Sequence, residues 1–180
     1  MPPEPSPLDH TGNLLGALAL TVSDRTAEAA GGAAGQSPSA AAALSALYHF
    51  LDDPPVDRLR QVLGLTASGT VRLIDRLQES GFVTRGPGRD GRSVSVRLTP
   101  AGRRAAKRVS AARGAVLADA LAALDPSERD ALDRLLSRVL VGLIRGPGAT
   151  RWMCRLCDTA ACGRDAGLCP VANAARERYA

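Results

Sequence analysis

Between residues 56 and 98 the apolar period changes once, and that change limits the fold more than any other feature of the chain. Val56 to Leu63 reads as a short helix, with Leu59 and Leu63 four apart, ended by Gly64. Thr66 is a good N-cap for a second helix over Ala67–Ser80, and Gly81 suits the position just past its end. Two helices joined by Gly64-Leu65-Thr66 have the length and punctuation of a helix-turn-helix. The period then drops to two. Phe82-Val83-Thr84 suggests a strand, Gly86-Pro87-Gly88-Arg89-Asp90-Gly91 a flexible turn, and Ser93 to Leu98 a half-buried strand. A hairpin with a basic tip therefore follows the helix pair, where a wing would sit.

The flanks are helical. Residues 1–7 (MPPEPSP) are Pro-rich and expected to be disordered. Leu8 to about Ala30 reads as a first helix with Leu14, Leu15, Leu18 and Val22 near one face, broken by Gly31, Gly32 and Gly35. A second follows Ser37 or Ser39 and runs to about Leu51, before the stop Asp52-Asp53-Pro54-Pro55. Thr99-Pro100 starts a fifth helix reaching about Leu124. Asp125-Pro126-Ser127-Glu128 starts a sixth, with Glu128 at the reciprocal capping position, that runs to Gly146-Pro147-Gly148. Its stripe of Leu132, Leu135, Leu136, Val139, Leu140, Leu143 and Ile144 needs a partner helix. The partner is either in the same chain or in a second copy, and a second copy is favoured because so small a winged core cannot cover such long helices. The expected division is 1–7 as disordered N-terminus, 8–54 as supporting and dimerising helices, 55–98 as the winged helix-turn-helix, 99–148 as C-terminal dimerisation helices, and 149–180 as a cysteine-rich tail.

Charge points to an anionic partner. Residues 55–108 hold 12 Lys or Arg against 4 Asp or Glu, while the whole chain of 180 residues is only +5. Positive charge concentrated in under a third of the chain favours nucleic acid. Only Lys107 is not Arg, so a compositional bias explains the choice of Arg but not the clustering. Aromatics at 3% argue against stacking platforms for single strands. No apolar run approaches the roughly 18 residues of a membrane span. Nothing basic precedes Leu14–Val22, since the first Arg is Arg25, so no secretory signal is read and a cytoplasmic location is expected. No Gly-rich phosphate loop, Ser/His/Asp set or His-Glu metalloprotease spacing is present, so no enzyme is expected.

A helix laid in the major groove shows its N-terminal residues to the base edges. The fourth helix offers Ser68, Thr70, Arg72 and Arg76 to DNA, and Leu73, Ile74 and Leu77 to the protein. Arg72 is the best base reader, because bidentate Arg–guanine pairing is the commonest specific contact. Ser68 and Thr70 suit phosphate or thymine-methyl contacts, and Gly69 would let the backbone come close. Arg89 and Arg92 at the wing tip could enter the minor groove or grip phosphate.

The stretch from Leu63 to Arg104 resembles the MarR family of bacterial winged helix-turn-helix regulators. The resemblance rests on Arg72-Leu73-Ile74-Asp75-Arg76-Leu77, the exit Gly81-Phe82-Val83, the wing Asp90-Gly91-Arg92 and the closing Leu98-Thr99-Pro100-Ala101-Gly102. It implies a mainly helical fold with a two-stranded β-wing, whose long N- and C-terminal helices form a homodimer on double-stranded DNA at a pseudo-palindromic operator. It implies a repressor released by a ligand or by oxidation, with a small-molecule inducer bound between the dimer helices and the DNA-binding lobe. By match, Arg92 would be the minor-groove arginine, Asp90 would brace that loop by pairing with a nearby Arg, and Ser68 and Arg72 would face DNA. Two positions depart from the family pattern. Arg60 stands where a small residue is usual and must snorkel outward. Thr70 and Val71 look exchanged against the usual order. Asp75 is read as holding the fold, since a carboxylate beside phosphate is repelled.

Cys154, Cys157, Cys162 and Cys169, the last followed by Pro170, come after 153 residues without a cysteine. Three readings stay open: a four-cysteine metal centre, redox-active thiols activated by Arg151, Arg155 and Arg164, and incidental or disulfide-bonded cysteines. The metal centre is favoured, with an iron–sulfur cluster slightly ahead of zinc, because the second pair is too widely spaced for a zinc knuckle and Cys-Pro resembles ferredoxin loops. His10 and His49 are read as surface or interface residues. The tail supplies the alternative function, an iron–sulfur or metal-binding electron carrier whose basic segment reads no DNA. The favoured function is a DNA-binding transcriptional regulator that senses metal or redox state.

Overall fold

The computed structural model describes residues 9–88, 93–146, 148 and 152–179. Seven helices and one hairpin lie among them: α1 His10–Ala34, α2 Pro38–His49, α3 Val56–Leu63, α4 Ala67–Glu79, β1 Val83–Pro87, β2 Val94–Leu98, α5 Pro100–Ala120, α6 Pro126–Gly142 and α7 Pro170–Tyr179. The expected mainly helical fold with a two-stranded wing is therefore present.

The core is organised around α2. Its eight residues from Ala40 to Leu47 are all buried, so the helix is enclosed on every side. Alanine at 40–43 and 46 lets neighbouring backbones come close, and α2 packs on α1, α3, α4, α5 and β2. Ser37 caps it through Ala40 N at 3.3 Å, and Pro38 sits in its first turn. The helix stops at His49, two residues before the expected end.

The α1 helix runs through Gly31 and Gly32, contrary to the expected break. A helical Gly costs about 1 kcal/mol against Ala, and the packing of α1 along α5 overrides that cost. Only Gly35 takes a left-handed conformation (φ +61°), and there α1 ends.

Thr66 caps α4 through Gly69 N at 3.1 Å, and Gly64 ends α3 in the left-handed region (φ +65°). Leu59, Val62, Leu73, Ile74 and Leu77 are buried where the two helices meet the α2 core. The hairpin is antiparallel, with Val83 opposite Leu98 and Pro87 opposite Val94. Gly86 and Pro87, read from sequence as turn, belong to β1. Inward–outward alternation also fails along β2. Val94 is 48% exposed, while Ser95 is 1% exposed and donates its hydroxyl to the Pro87 carbonyl at 3.2 Å. The reason lies on the other edge of β2, where Pro54 accepts from Val96 N at 3.0 Å and Pro55 bridges Ser95. Ser95 is thus covered from both sides.

The α5 helix starts as expected, with Thr99 capping Gly102 N at 3.0 Å, but ends at Ala120 rather than near Leu124. Gly102 is locked by packing: a Cβ there would lie 1.9 Å from the Phe82 carbonyl oxygen. The capping box of α6 is complete, with Glu128 N donating to Asp125 and Asp125 N to Glu128, both at 2.9 Å. The Glu128 N–H, followed by the Ser127 hydroxyl, holds the Asp125 carboxyl below the usual carboxylate range. The α6 helix ends at Gly142, and α7 packs on it. A second small core forms there from Ile144, Cys169, Val171 and Ala172. No described helix is long and apolar enough to cross a membrane.

Replacing Gly102 with Ala should destabilise the chain by about 1–3 kcal/mol through overpacking against Phe82. Urea unfolding measures the loss, and unchanged stability would contradict the close approach.

Candidate functional site

The α4 helix divides cleanly into two faces. Leu73, Ile74 and Leu77 are buried, while Ser68, Arg72 and Arg76 are exposed along the opposite side. Thr70 does not join them. It is 1% exposed and donates its hydroxyl to the Thr66 carbonyl at 2.9 Å, so its expected role at DNA is corrected to one inside the fold. Val71 takes the outward position at 47% exposure. The apparent exchange of these two residues in the sequence is real in space. Gly69 also has a structural use. Its N–H meets the Thr66 cap, and a Cβ would stand 3.0 Å from the Thr66 hydroxyl.

Carboxylates decide which arginines present charge. Asp75 binds Arg85 at 2.6 Å and Gln78 accepts from the same guanidinium at 3.2 Å, tying α4 to β1. Asp53 pairs with Arg97 at 2.7 Å on β2. Arg60 turns outward, as expected, onto Asp57 at 2.7 Å, and its guanidinium holds the Asp57 carboxyl below its usual range. Among the described residues no carboxylate pairs with Arg72 or Arg76. Arg76 instead bonds the Arg72 carbonyl at 3.2 Å, which keeps its stem along the helix. Ser68 in the capped first turn, with Arg72 and Arg76 farther along the same face and unpaired with carboxylates among the described residues, makes a surface that attracts anions. The wing residues Arg89, Asp90 and Arg92 lie outside the described residues.

The cysteine tail is docked on this unit. The indole of Trp152 packs on the α3–α4 turn, its Nε1 3.1 Å from where a Gly64 Cβ would be. Arg155 stacks over the same ring at 4.4 Å. Leu156 packs against the main core, and Thr159 donates to the His49 carbonyl at 3.0 Å. His49 is an interface residue: its ring lies 2.8 Å from the Ser110 hydroxyl and 3.7 Å from Asp158. The four cysteines, all free thiols, line one cavity of about 590 Å³ between the tail and α6. Cys157 is pulled down to about 6, chiefly by the Cys154 side chain that hydrogen-bonds it, with Arg113 and Arg164 assisting against burial and Asp158. The same contact, with burial, pushes Cys154 up. Burial raises Cys162. Sequence reasoning did not find the Trp152–Gly64 contact, and the one available signal was a lone tryptophan beside the first cysteine.

Residues 34–93 match the model of the MarR family. This segment is similar to the winged helix of MarR regulators. A probable transcriptional regulator from Pseudomonas aeruginosa is 29% identical, with 69% of this chain and 95% of that one covered and a TM-score of 0.53. A MarR family protein from Bacillus stearothermophilus is 27% identical, with 71% and 88% covered and a TM-score of 0.62. MepR, a transcription regulator of the Staphylococcus aureus multidrug efflux pump MepA, shares the fold at 14% identity, with 76% and 100% covered and a TM-score of 0.65. A search of the curated proteins finds no match. The family match takes in α2, the helix-turn-helix and the first wing strand, and it stops short of the cysteine tail.

Thr66→Ala should cost about 1 kcal/mol by removing the α4 cap, measured by urea unfolding. A neutral result would show that the cap does not fix the start of the exposed face.

Proposed function

We propose that the chain is a transcriptional regulator that binds double-stranded DNA in a sequence-specific way, as a homodimer on a pseudo-palindromic operator, and that it represses. The observation that carries the reading is the outward face of α4, where Ser68, Arg72 and Arg76 stand opposite the buried Leu73, Ile74 and Leu77. A helix of this kind fits the major groove, with Arg72 near enough to its N-terminus to reach a guanine edge. Arg76 and Ser68 would contact phosphate and fix the register. Arg89 and Arg92, from the wing sequence, would add minor-groove or backbone contacts, and Asp90 would brace them.

Exposed apolar faces support the dimer. Leu14, Leu15, Leu18 and Leu20 on α1 are 45–68% exposed. On α6, Leu135, Val139 and the following Leu143 are 41–57% exposed, and no α6 residue is buried. Apolar helix faces of this extent are covered by a second copy more readily than by water. An inducer would have room in a half-open cavity of about 710 Å³ between α1, α2 and α5, flanked by Trp152 and Leu156, with Arg113 and Arg155 on its wall. That lining suits an apolar molecule with an anionic end.

The experiment is a gel shift with DNA from upstream of the chain's own gene. Affinity should fall steeply as salt rises. Arg72→Ala should weaken specific binding by about 1–3 kcal/mol and relax preference at one base pair per half-site. A variant that keeps full sequence preference would remove α4 as the reading helix. Separately, Val139→Asp should turn a dimer into a monomer in sedimentation equilibrium, and a wild-type chain that sediments as a monomer would end the dimer reading.

A further inference from the structure

We propose that Cys154, Cys157, Cys162 and Cys169 ligate an iron–sulfur cluster, and that the cluster clamps the tail onto the turn of the helix-turn-helix. The four thiols come from one short segment that folds back on itself, and they face a single cavity of about 590 Å³. Two turns bring them together. Gly163 and Gly167 both take left-handed conformations (φ +61° and +73°), and a Cβ at Gly163 would stand 2.9 Å from that of Leu168. Apart from the thiols, the walls are largely apolar, with Leu136, Leu140 and Val171 among them. Such a cavity shields a cluster from water.

The spacing of the thiols favours a cluster over a single ion. Zinc with bonds of about 2.3 Å needs four sulfurs roughly 3.8 Å apart around one point. Among the described residues no three His, Cys, Asp or Glu side chains converge in that way. Cys154 and Cys157 are separated by two residues and Cys162 and Cys169 by six, and all four line the one cavity. Iron ions bridged by inorganic sulfide hold their thiolates farther apart and fill the space between. On ligation each thiol loses its proton to water as an iron–sulfur bond forms, and no electron is transferred.

The clamp follows from where the loop is anchored. Trp152, two residues before Cys154, rests on Gly64, the left-handed residue that ends α3 and leads into the Thr66 cap of α4. Thr159, between the two pairs, holds the His49 carbonyl at the end of α2. Loss of the cluster would free both anchors and with them the setting of α4. This second half rests on the DNA-binding reading above, whereas the cluster does not.

The full-length chain, purified without oxygen, is analysed for iron, acid-labile sulfide and zinc and by visible absorption. Iron and sulfide in equal amounts, with a visible band lost in Cys162→Ser while the helical far-UV signal remains, are expected. Stoichiometric zinc without sulfide overturns the cluster, as does a metal-free chain whose four thiols all alkylate. If Cys162→Ser does not fold, the metal and sulfide content of the wild-type chain decides alone. The clamp is tested on DNA from upstream of the gene. Removing iron should change wild-type affinity by about tenfold and leave Trp152→Ala unmoved. Equal affinities of the iron-loaded and stripped wild type overturn the clamp and leave the DNA reading standing. No binding by either form overturns the DNA reading and leaves the cluster standing.

Discussion

Enclosure of α2 is the constraint on which the rest depends. A helix buried all round can offer its neighbours little side-chain volume, and here five alanines within Ala40–Leu47 bring the surrounding backbones into close contact. That closeness sets where α5, α3 and β2 lie, and through α3 it sets the angle at which α4 leaves the protein. A larger residue at any of these alanines would displace several elements at once, because packed interiors cannot absorb extra methylenes without strain.

Much of this was legible where a local signal and the global fold agree. Thr66, Thr99 and Asp125 cap helices as their sequences announce, because a side-chain oxygen beside free N–H groups is a purely local device. The limits of α3 were readable for the same reason. Sequence failed where a tertiary neighbour decided. Gly31 and Gly32 stay helical because α5 supports them, and Ser95 turns inward because Pro54 and Pro55 cover the strand's other edge. Thr70 was assigned to DNA by residue type alone. Its place one residue before the outward Val71 puts it on the buried face, where its hydroxyl finds the Thr66 carbonyl. The α7 helix has only a Pro170 start and a short alanine-containing run to announce it, directly behind Cys169.

Charge in the winged region is sorted rather than spread. Asp57, Asp75 and Asp53 take up Arg60, Arg85 and Arg97, which are the arginines that fasten one element to another or to its own turn. Exposed pairs of this kind add little stability each. Their effect is positional: among the described residues they leave Arg72 and Arg76 of α4 without a carboxylate partner.

The Pro54–Pro55 pair has a further consequence. A two-stranded ribbon has two open edges, and each is a template on which another chain could add a strand. Along β2 the outer edge is already occupied by two residues that have no N–H to donate, so pairing ends there and cannot propagate. Pro54 and Pro55, a few residues past the end of α2, thus close the β2 side of the hairpin to the addition of a further strand.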